Sequence, residues 1–282
     1  MTVNEVSRNI ISVLTPRFGG GEAKAMMRII FENIKGWTPV DIAVKWGEEM
    51  SDFIIGKINE VVERIMNDEP IQYVFGNAYF YGLKLKVTSD TLIPRPETAE
   101  LVDIIVHENT AKDLRVLDLC TGSGCIAVAL ARNLPFAQVT ATDLSAAALA
   151  VARENARTLR ADVDFIQADI LKGEPADAGP FDIIVSNPPY IARSERRSME
   201  ANVLAHEPAM ALFVPDSDPL MFYRAVLRYA AGGALAPRGK LYFEVNPLFA
   251  DALVAMAQNE GFSSVEIARD SFGKRRFASI SR

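Results

Sequence analysis

From residue 114 onward, short apolar segments alternate with longer segments of helical periodicity. The apolar segments predict strands at 114–119, 138–142, 163–167, 181–186, 239–245, 263–268 and 276–280. The segments between them predict helices at 124–133, 145–158, 217–231 and 248–260. Such alternation is typical of an α/β fold, in which a mostly parallel, Rossmann-like sheet is covered by helices on both faces. Ligands of these sheets bind beyond the carboxyl ends of the strands.

The preceding part of the chain has a different pattern. Four segments, beginning near residues 3, 26, 39 and 51, repeat apolar residues at helical spacing and predict a small bundle. Residues 72–90 alternate, are rich in aromatic side chains and carry Gly82 at a turn, which predicts a β-hairpin. We therefore expect a helical bundle over 1–70, a hairpin linker over 71–91 and an α/β domain over 92–282. The bundle has no catalytic cluster, so we expect it to dock a macromolecular substrate.

Composition narrows the function classes. The 282 residues include 30 Lys and Arg against 36 Asp and Glu, a net charge of −6, which argues against a dominant nucleic-acid surface. No apolar run is long enough to span a bilayer. Cys120 and Cys125 are the only cysteines, and the two histidines lie far from them. We therefore expect no metal site, no membrane association and a reducing, cytoplasmic location.

The first predicted strand of the α/β part ends in a glycine loop, within "VLDLCTGSGCIAVAL". Asp118 lies near the strand end, and Gly122 and Gly124 allow the backbone to approach a ligand before a helix begins. The spacing also fits a loose dinucleotide fingerprint, and no Walker lysine follows. The loop therefore predicts a nucleotide-like cofactor without choosing between an NAD-type and another nucleotide-containing cofactor.

Acidic residues follow the next two strands. Asp143 can accept hydrogen bonds from both hydroxyls of a ribose. Asp169 can accept from the exocyclic amine of adenine, with Ile170 packed on the base. Either aspartate alone is more often a turn or cap residue, but the series at successive strand ends suits a cofactor with a ribose and an adenine.

The fourth strand ends in Asn187, Pro188, Pro189 and Tyr190. The prolines end the strand and make a rigid rim. The Asn187 side-chain oxygen and the Pro188 carbonyl can accept both N–H groups of a planar NH2, and Tyr190 can stack on that group. Such a site suits methyl transfer to a poor nitrogen nucleophile, because alignment and charge stabilisation matter more there than a strong base.

These motifs together resemble class I S-adenosylmethionine-dependent methyltransferases that act on planar nitrogens. The segments "PIQYVFG", "LIPRPETAELV", "NPPYI" and "HEPAMAL" are similar to the HemK/PrmC family, which methylates the glutamine of the GGQ motif in peptide-chain release factors. The resemblance covers nearly the whole chain. It implies a seven-stranded methyltransferase sheet, S-adenosylmethionine converted to S-adenosylhomocysteine, a release factor as protein substrate, transfer to the glutamine N5, no direct nucleic-acid binding and a monomer.

The resemblance also implies roles for individual residues. The cofactor would be held by Pro94, Arg95, Glu97, Cys120, Thr121, Gly122, Ser123, Gly124, Asp143, Asp169, Ile170 and Asn187. The substrate glutamine would be held by Asn187, Pro188, Pro189 and Tyr190, with Asn187, Pro188 and Tyr190 catalytic. Cys120 stands where the family commonly has glycine, so its side chain needs room and a compatible φ.

Three alternatives stay open at this point. A DNA or RNA amino-methyltransferase would share the Asn-Pro-Pro-Tyr motif, but it would need a basic groove or a recognition domain. An NAD-dependent oxidoreductase explains the glycine loop and leaves the motif without a role. A non-catalytic binding module would retain only the cofactor. Residues 191–215, which carry Arg193, Arg196 and Arg197, are a second candidate for a substrate contact or a lid.

Overall fold

The structure, a computed structural model, describes residues 1–173 and 179–282. The chain forms two compact units. The helical unit consists of Met1–Gly76 together with Ala201–His206, and the sheet unit consists of Asn77–Glu200 together with Glu207–Arg282.

The helices are α1 (Val3–Lys35), α2 (Pro39–Val44), α3 (Asp52–Met66), α4 (Ile71–Phe75), α5 (Pro96–Glu108), α6 (Cys125–Asn133), α7 (Ala146–Leu159), α8 (Ala201–His206), α9 (Ala209–Leu212), α10 (Met221–Tyr229) and α11 (Ala250–Asn259). The strands are β1 (Asn77–Phe80), β2 (Leu83–Lys86), β3 (Arg115–Leu119), β4 (Gln138–Asp143), β5 (Val163–Gln167), β6 (Phe181–Ser186), β7 (Ile191–Ala192), β8 (Phe213–Val214), β9 (Leu235–Glu244), β10 (Ser264–Arg269) and β11 (Arg275–Ser281).

In the helical unit, α1 is two helical segments joined at Gly19, whose φ of 80° and ψ of 157° break the helix. Thr2 and Glu5 form a capping box at its start, which satisfies the first backbone donors. The apolar faces of α1 and α3 bury side chains such as Ile30, Phe31 and Ile58 in one core. The helical periodicity read from the sequence therefore matches a packed bundle.

The expected hairpin begins later than the alternation predicts. Residues 71–75 form the helix α4, because Ile71 and its neighbours Val74 and Phe75 pack on the core of the helical unit at helical spacing. The hairpin itself is β1 and β2, paired antiparallel from Asn77 with Lys86 to Phe80 with Leu83. Phe80 and Leu85 are buried in a core of the sheet unit, so the hairpin packs there.

The sheet has the strand order β10-β11-β9-β6-β3-β4-β5. Strands β5, β4, β3, β6 and β9 run parallel, and β11 is antiparallel to both β9 and β10. All seven predicted strands are present, and the predicted α/β fold with a seven-stranded sheet is confirmed. The order reverses beside β3, whose next neighbours are β4 and β6, and a ligand crevice is expected at that switch point.

Two boundaries near the end of the chain differ from the prediction. Helix α10 starts at Met221 rather than residue 217, because Asp216–Leu220 contain Pro219 and form turns. The helix is followed by a wider turn over 230–234, in which Gly233 has a φ of 116°, and β9 already starts at Leu235. Residues 191–215 are folded too: β7 pairs parallel with β8, and α8 and α9 lie between them.

Candidate active site at the carboxyl ends of the central strands

A cavity in the sheet unit opens where β3, β4, β5 and β6 end. The predicted site residues that line it are Pro94, Arg95, Cys120, Thr121, Gly122, Ser123, Asp143, Asp169, Ile170, Asn187 and Pro189. Four other predicted residues lie outside its wall: Glu97, Gly124, Pro188 and Tyr190. Residues from five separate segments of the sequence thus meet at the switch point of the sheet.

The glycine loop after β3 is built from residues in the left-handed region. Cys120 has a φ of 62°, Gly122 of 56° and Gly124 of 78°. A non-glycine residue there is strained by roughly 1–2 kcal/mol, so Cys120 holds this conformation at a cost that glycine would not have. Burial raises the pKa of the Cys120 thiol above its usual range, so the group stays neutral and acts as a small apolar wall.

Gly124 has a packing role and caps α6. A Cβ atom placed on it would lie 3.0 Å from the Cβ and 3.3 Å from the Cα of Ala152 on α7. The positive φ and the close approach both require glycine. Gly124 therefore sets the distance between α6 and α7, which gives it a structural role in the loop although it does not line the cavity.

Asp118 is the acidic residue near the end of β3, and it is fully buried. Its Oδ2 accepts hydrogen bonds from the Thr121 hydroxyl at 2.6 Å and from the Ala127 N–H at 3.2 Å. Its Oδ1 is buried without a partner among the described residues. Burial, which outweighs these hydrogen bonds, raises the pKa of Asp118 to about 7.

Asp143 is the last residue of β4, and its side chain links the glycine loop after β3 to β4 by a hydrogen bond. Its Oδ2 accepts from the Gly122 N–H at 2.8 Å, and its Oδ1 accepts from the Ser145 N–H at 2.9 Å. Burial raises the pKa of Asp143, while these backbone donors lower it. Each carboxylate oxygen keeps a lone pair for a further donor, so the side chain is held at the cavity wall in a form that can accept from two hydroxyls.

Asp169 and Ile170 follow β5 and line the same cavity. Asp169 Oδ1 accepts from the Leu171 N–H at 3.0 Å, and its other oxygen lies 3.3 Å from the Lys172 ammonium. Ile170 is buried and belongs to a core beneath the sheet. The pair thus offers an apolar surface with an acceptor beside it.

The Asn-Pro-Pro-Tyr turn is anchored at both ends. Before it, the Ser186 hydroxyl donates to the Leu119 carbonyl at 2.7 Å. The Asn187 Nδ2 donates to the Thr98 hydroxyl oxygen at 3.2 Å. The Tyr190 hydroxyl donates to Glu244 Oε1 at 3.0 Å, and the Asn246 side chain donates to the Tyr190 carbonyl at 3.2 Å.

The phenol of Tyr190 is a donor and not a base. Burial and the negative charge of Glu244 raise its pKa well above the usual range, so the group stays protonated. Its ring packs against a core of the sheet unit. Any contribution of Tyr190 to chemistry must therefore come from its ring and from its hydrogen bond.

Sequence reasoning missed the partners that hold these groups. Thr98 and Glu244 are 2% and 1% exposed, and the Thr98 hydroxyl donates to Glu244 Oε2 at 2.6 Å. Glu207 accepts from the Ile93 N–H at 3.1 Å and forms an ion pair with Arg95. A signal was present: Glu244 is the last residue of β9, as Asp143 is the last residue of β4, and Glu207 stands in "HEPAMAL".

Within the described ranges, no group of three or more His, Cys, Asp or Glu side chains is placed to hold a metal ion. Among the helices of residues 1–173 and 179–282, none has both the length and the apolar character needed to cross a lipid bilayer.

Two family models match the chain: "Methyltransferase small domain" over residues 98–213 and "PrmC N-terminal domain" over residues 13–76. A release factor glutamine methyltransferase from Bacteroides thetaiotaomicron is 41% identical over 280 residues, which cover 99% of this chain and 100% of the relative. Another protein of that name, from Flavobacterium psychrophilum, is 37% identical over 284 residues and 99% of both chains.

Among solved structures, the crystal structure of a ribosomal protein L11 methylase from Lactobacillus delbrueckii subsp. bulgaricus superposes with a TM-score of 0.50. The match covers 70% of this chain and 84% of that chain at 20% sequence identity. This likeness and the match to the methyltransferase family model together show a class I, Rossmann-like methyltransferase fold.

Proposed function

The chain belongs to the release factor glutamine methyltransferase family, whose members are S-adenosylmethionine-dependent methyltransferases, and from this premise we propose that it methylates a release factor at the side-chain nitrogen (N5) of the glutamine in the GGQ motif. The observation that carries the proposal is the orientation of Asn187, whose Nδ2 is engaged by Thr98 at 3.2 Å while the side chain lines the cavity. Its Oδ1 is then the atom of the amide that accepts from a ligand.

The cavity walls fit S-adenosylmethionine. Asp143 is half-buried and oriented by two backbone donors, as a partner for two ribose hydroxyls must be. Ile170 and Asp169 suit the face and the amine of an adenine, and the loop of Cys120 and Gly122 borders the space left for the methionine part. When bound, the cofactor supplies a methyl group on a positively charged sulfur, and S-adenosylhomocysteine is left after transfer.

The residues of this chain orient the nucleophile. The glutamine NH2 has two N–H donors, which Asn187 Oδ1 and the Pro188 carbonyl accept, so the nitrogen is fixed with its face toward the methyl group. An amide nitrogen is a poor nucleophile, and correct alignment is worth several powers of ten in rate. Both acceptors also stabilise the positive charge that develops on the nitrogen, which releases one proton to water after transfer.

The helical unit is proposed to dock the release factor. One side of α2 is apolar and exposed: Val40 is 70% and Val44 77% accessible to solvent. A shallow depression beside it is bordered by Met27, Ile42 and Trp46. Exposed apolar side chains that cluster in this way are typical of a protein-binding surface. We further propose that the enzyme acts in the cytoplasm and that it is a monomer. Light scattering at working concentrations tests the monomeric state.

A methyl-transfer assay tests the proposed substrate. Purified enzyme and labelled S-adenosylmethionine are mixed in parallel with a folded release factor, with RNA and with DNA, and the product is mapped by mass spectrometry. We expect label only on the release factor and only at the GGQ glutamine. Label on either nucleic acid and none on the protein would instead establish an amino-methyltransferase of nucleic acid.

The variant Asn187→Ala tests the proposed mechanism in the same assay. Loss of one acceptor misplaces the nucleophile, and we expect kcat to fall on the order of a hundredfold. The dissociation constant of S-adenosylmethionine, measured by calorimetry, should change much less. Near-normal turnover by this variant would rule out the role assigned to Asn187.

A further inference from the structure

We propose that Thr98 and Glu244 are positioning residues, which together fix the direction of the Asn187 amide so that its oxygen accepts from the methyl-accepting nitrogen. The inference rests on the proposed function and concerns residues to which the motifs assign no role. Neither residue needs to touch the substrate. Both would act through Asn187.

The three side chains form one directed chain of hydrogen bonds. The Asn187 Nδ2 donates to Thr98 Oγ1 at 3.2 Å, and Thr98 Oγ1 donates to Glu244 Oε2 at 2.6 Å. Both oxygens of Glu244 accept from hydroxyl groups, one from Thr98 and one from Tyr190, so the single proton of the Thr98 hydroxyl points to Glu244. The hydroxyl oxygen is then free only to accept, and it takes an N–H of Asn187.

The same carboxylate holds the second functional side chain of the motif. Glu244 Oε1 accepts from the Tyr190 hydroxyl at 3.0 Å, so both oxygens of one buried carboxylate have a hydroxyl donor. Burial raises the pKa of Glu244 above its ordinary value, although the hydrogen bonds from Thr98 and Tyr190 and the positive charge of Arg276 oppose this rise. Both ends of the Asn-Pro-Pro-Tyr turn therefore depend on a carboxylate that lies on a different strand, β9.

The direction of the amide decides whether it can hold the substrate. A primary amide nitrogen offers two N–H donors, so a reversed Asn187 would place its own NH2 against the NH2 of the glutamine. Two opposed donors repel and leave both groups without partners, which is unfavourable where water is excluded. The Thr98 hydroxyl prevents this reversal, because it is occupied as a donor and accepts only from Nδ2.

The test compares Thr98→Val, which keeps the shape and removes the hydroxyl, with Thr98→Ser, which keeps the hydroxyl. For Thr98→Val we expect kcat to fall about tenfold to a hundredfold, the range for a misplaced reacting group. The KM for the release factor and the dissociation constant of S-adenosylmethionine should stay within about threefold of the wild-type values. Thr98→Ser should restore most of the lost kcat.

A double variant separates positioning from general damage. If Thr98 acts through Asn187, adding Thr98→Val to Asn187→Ala should lower kcat no further, because the interaction is already gone. Glu244→Gln should lower kcat at least as much as Thr98→Val, since its NH2 can donate to Thr98 and free the hydroxyl to hold a reversed amide. As a control, Ser7→Ala removes another buried hydroxyl bond, 2.7 Å to the Val3 carbonyl in the helical unit, and should leave kcat unchanged.

The outcomes are distinct. Equal kcat for Thr98→Val and Thr98→Ser, or losses that multiply in the double variant, would overturn the positioning role. If Thr98→Val is not folded, as thermal melting would show, the smaller pair Thr98→Ala and Thr98→Ser gives the same comparison. A wild-type enzyme that methylates no glutamine would refute the proposed function instead, and the variants would then be compared on the nitrogen it does methylate.

Discussion

At the scale of single residues, the cavity depends on carboxylates held in places where their charge is unfavourable. Asp118 is the clearest case, since it is fully buried and its pKa is raised to about 7 from 3.8. In the unfolded chain the group loses its proton near pH 4, while in the folded chain it keeps the proton to about pH 7. The contribution of Asp118 to stability is therefore greatest at low pH and is lost as the pH rises through 7.

Asp118→Asn tests this linkage. We expect the free energy of unfolding of the wild type, minus that of the variant, to fall between pH 4.5 and about 7 and then to level off, because only the wild type titrates there. Urea unfolding without cofactor at a series of pH values measures the difference. Parallel pH curves for the two proteins would mean that the buried group does not titrate in this range.

Asp143 is the residue on which cofactor affinity should depend most. Removing a carboxylate that pairs with two hydroxyls weakens binding by roughly 1.5–3 kcal/mol, or about tenfold to a hundredfold. We expect this loss for Asp143→Ala by calorimetry with S-adenosylmethionine. Asp164→Ala, at an exposed acidic residue near the start of β5, is the matched control and should bind as the wild type does. Unchanged affinity of Asp143→Ala would place the ribose elsewhere.

The sequence predicts the site residues at the ends of strands, but it does not predict the residues that hydrogen-bond to them and hold them in place. The positions of Asp143, Asp169 and Asn187 could be predicted from the pattern, since each stands at or within two residues of the end of a strand. The bond between Thr98 and Glu244 joins residues 146 positions apart, on α5 and β9. Nothing local in either segment shows that they meet, because only the folded sheet brings β9 next to β6.

At the scale of elements, the strands were predictable and several ends were not. Strands β3 and β6 are buried on both faces and read as nearly continuous apolar runs. The aromatic side chains of residues 71–75 favour a strand, but packing on the core of the helical unit makes this segment a helix. Tertiary packing overrides local propensity in such short segments.

Among the residues that set how helices pack, Gly124 is the one whose substitution should lower stability most clearly. Gly124→Ala combines a positive φ of 78° with a Cβ placed 3.0 Å from the Cβ of Ala152, so Ala152 on α7 must give way slightly. We expect a loss of stability above the roughly 1–2 kcal/mol of the backbone strain alone. The midpoint of urea unfolding measures it. Gly56→Ala is the matched control, because Gly56 lies inside α3 with no atom within 4 Å of the added Cβ.

The control should change stability in the opposite direction. Alanine in a helix interior is favoured over glycine by about 0.5–1 kcal/mol, so Gly56→Ala should raise the midpoint. If Gly124→Ala also raised the midpoint, the glycine would not be needed for the packing of α6 on α7. The loop would then owe its glycine to the ligand alone.

At the scale of the whole molecule, the family assignment predicted from the motifs is confirmed, and the fold of both units explains why the resemblance runs the length of the chain. The motifs lie in the sheet unit, while the helical unit carries no residue of the cavity. Since the helical unit contributes no cavity residue, we expect it to supply binding energy for the release factor. That binding energy can also orient the glutamine in the cavity.

Because the cavity lies in the sheet unit and docking is proposed for the helical unit, we expect a short GGQ peptide to be a poorer substrate than the folded release factor. The cavity can hold one side chain and its neighbours, and the remaining contacts must lie on other surfaces. Val44→Asp places a charge on the exposed apolar side of α2, where the wild-type side chain is 77% accessible. We expect it to lower kcat/KM for the folded factor about tenfold, which corresponds to 1.4 kcal/mol of lost binding. It should leave methylation of the peptide unchanged.

The matched control is Phe136→Asp, an equally exposed apolar residue, 73% accessible, which lies just before β4 at the end of the sheet opposite the cavity. It adds the same charge to the sheet unit rather than to α2, so kcat/KM for both substrates should stay as in the wild type. The comparison of two substrates separates docking from catalysis, because damage to the cavity would lower turnover of the peptide as well. Equal kcat/KM of Val44→Asp and wild type on the folded factor would mean that this side of α2 does not bind the substrate, and the arginines of residues 193–197 would become the next surface to test.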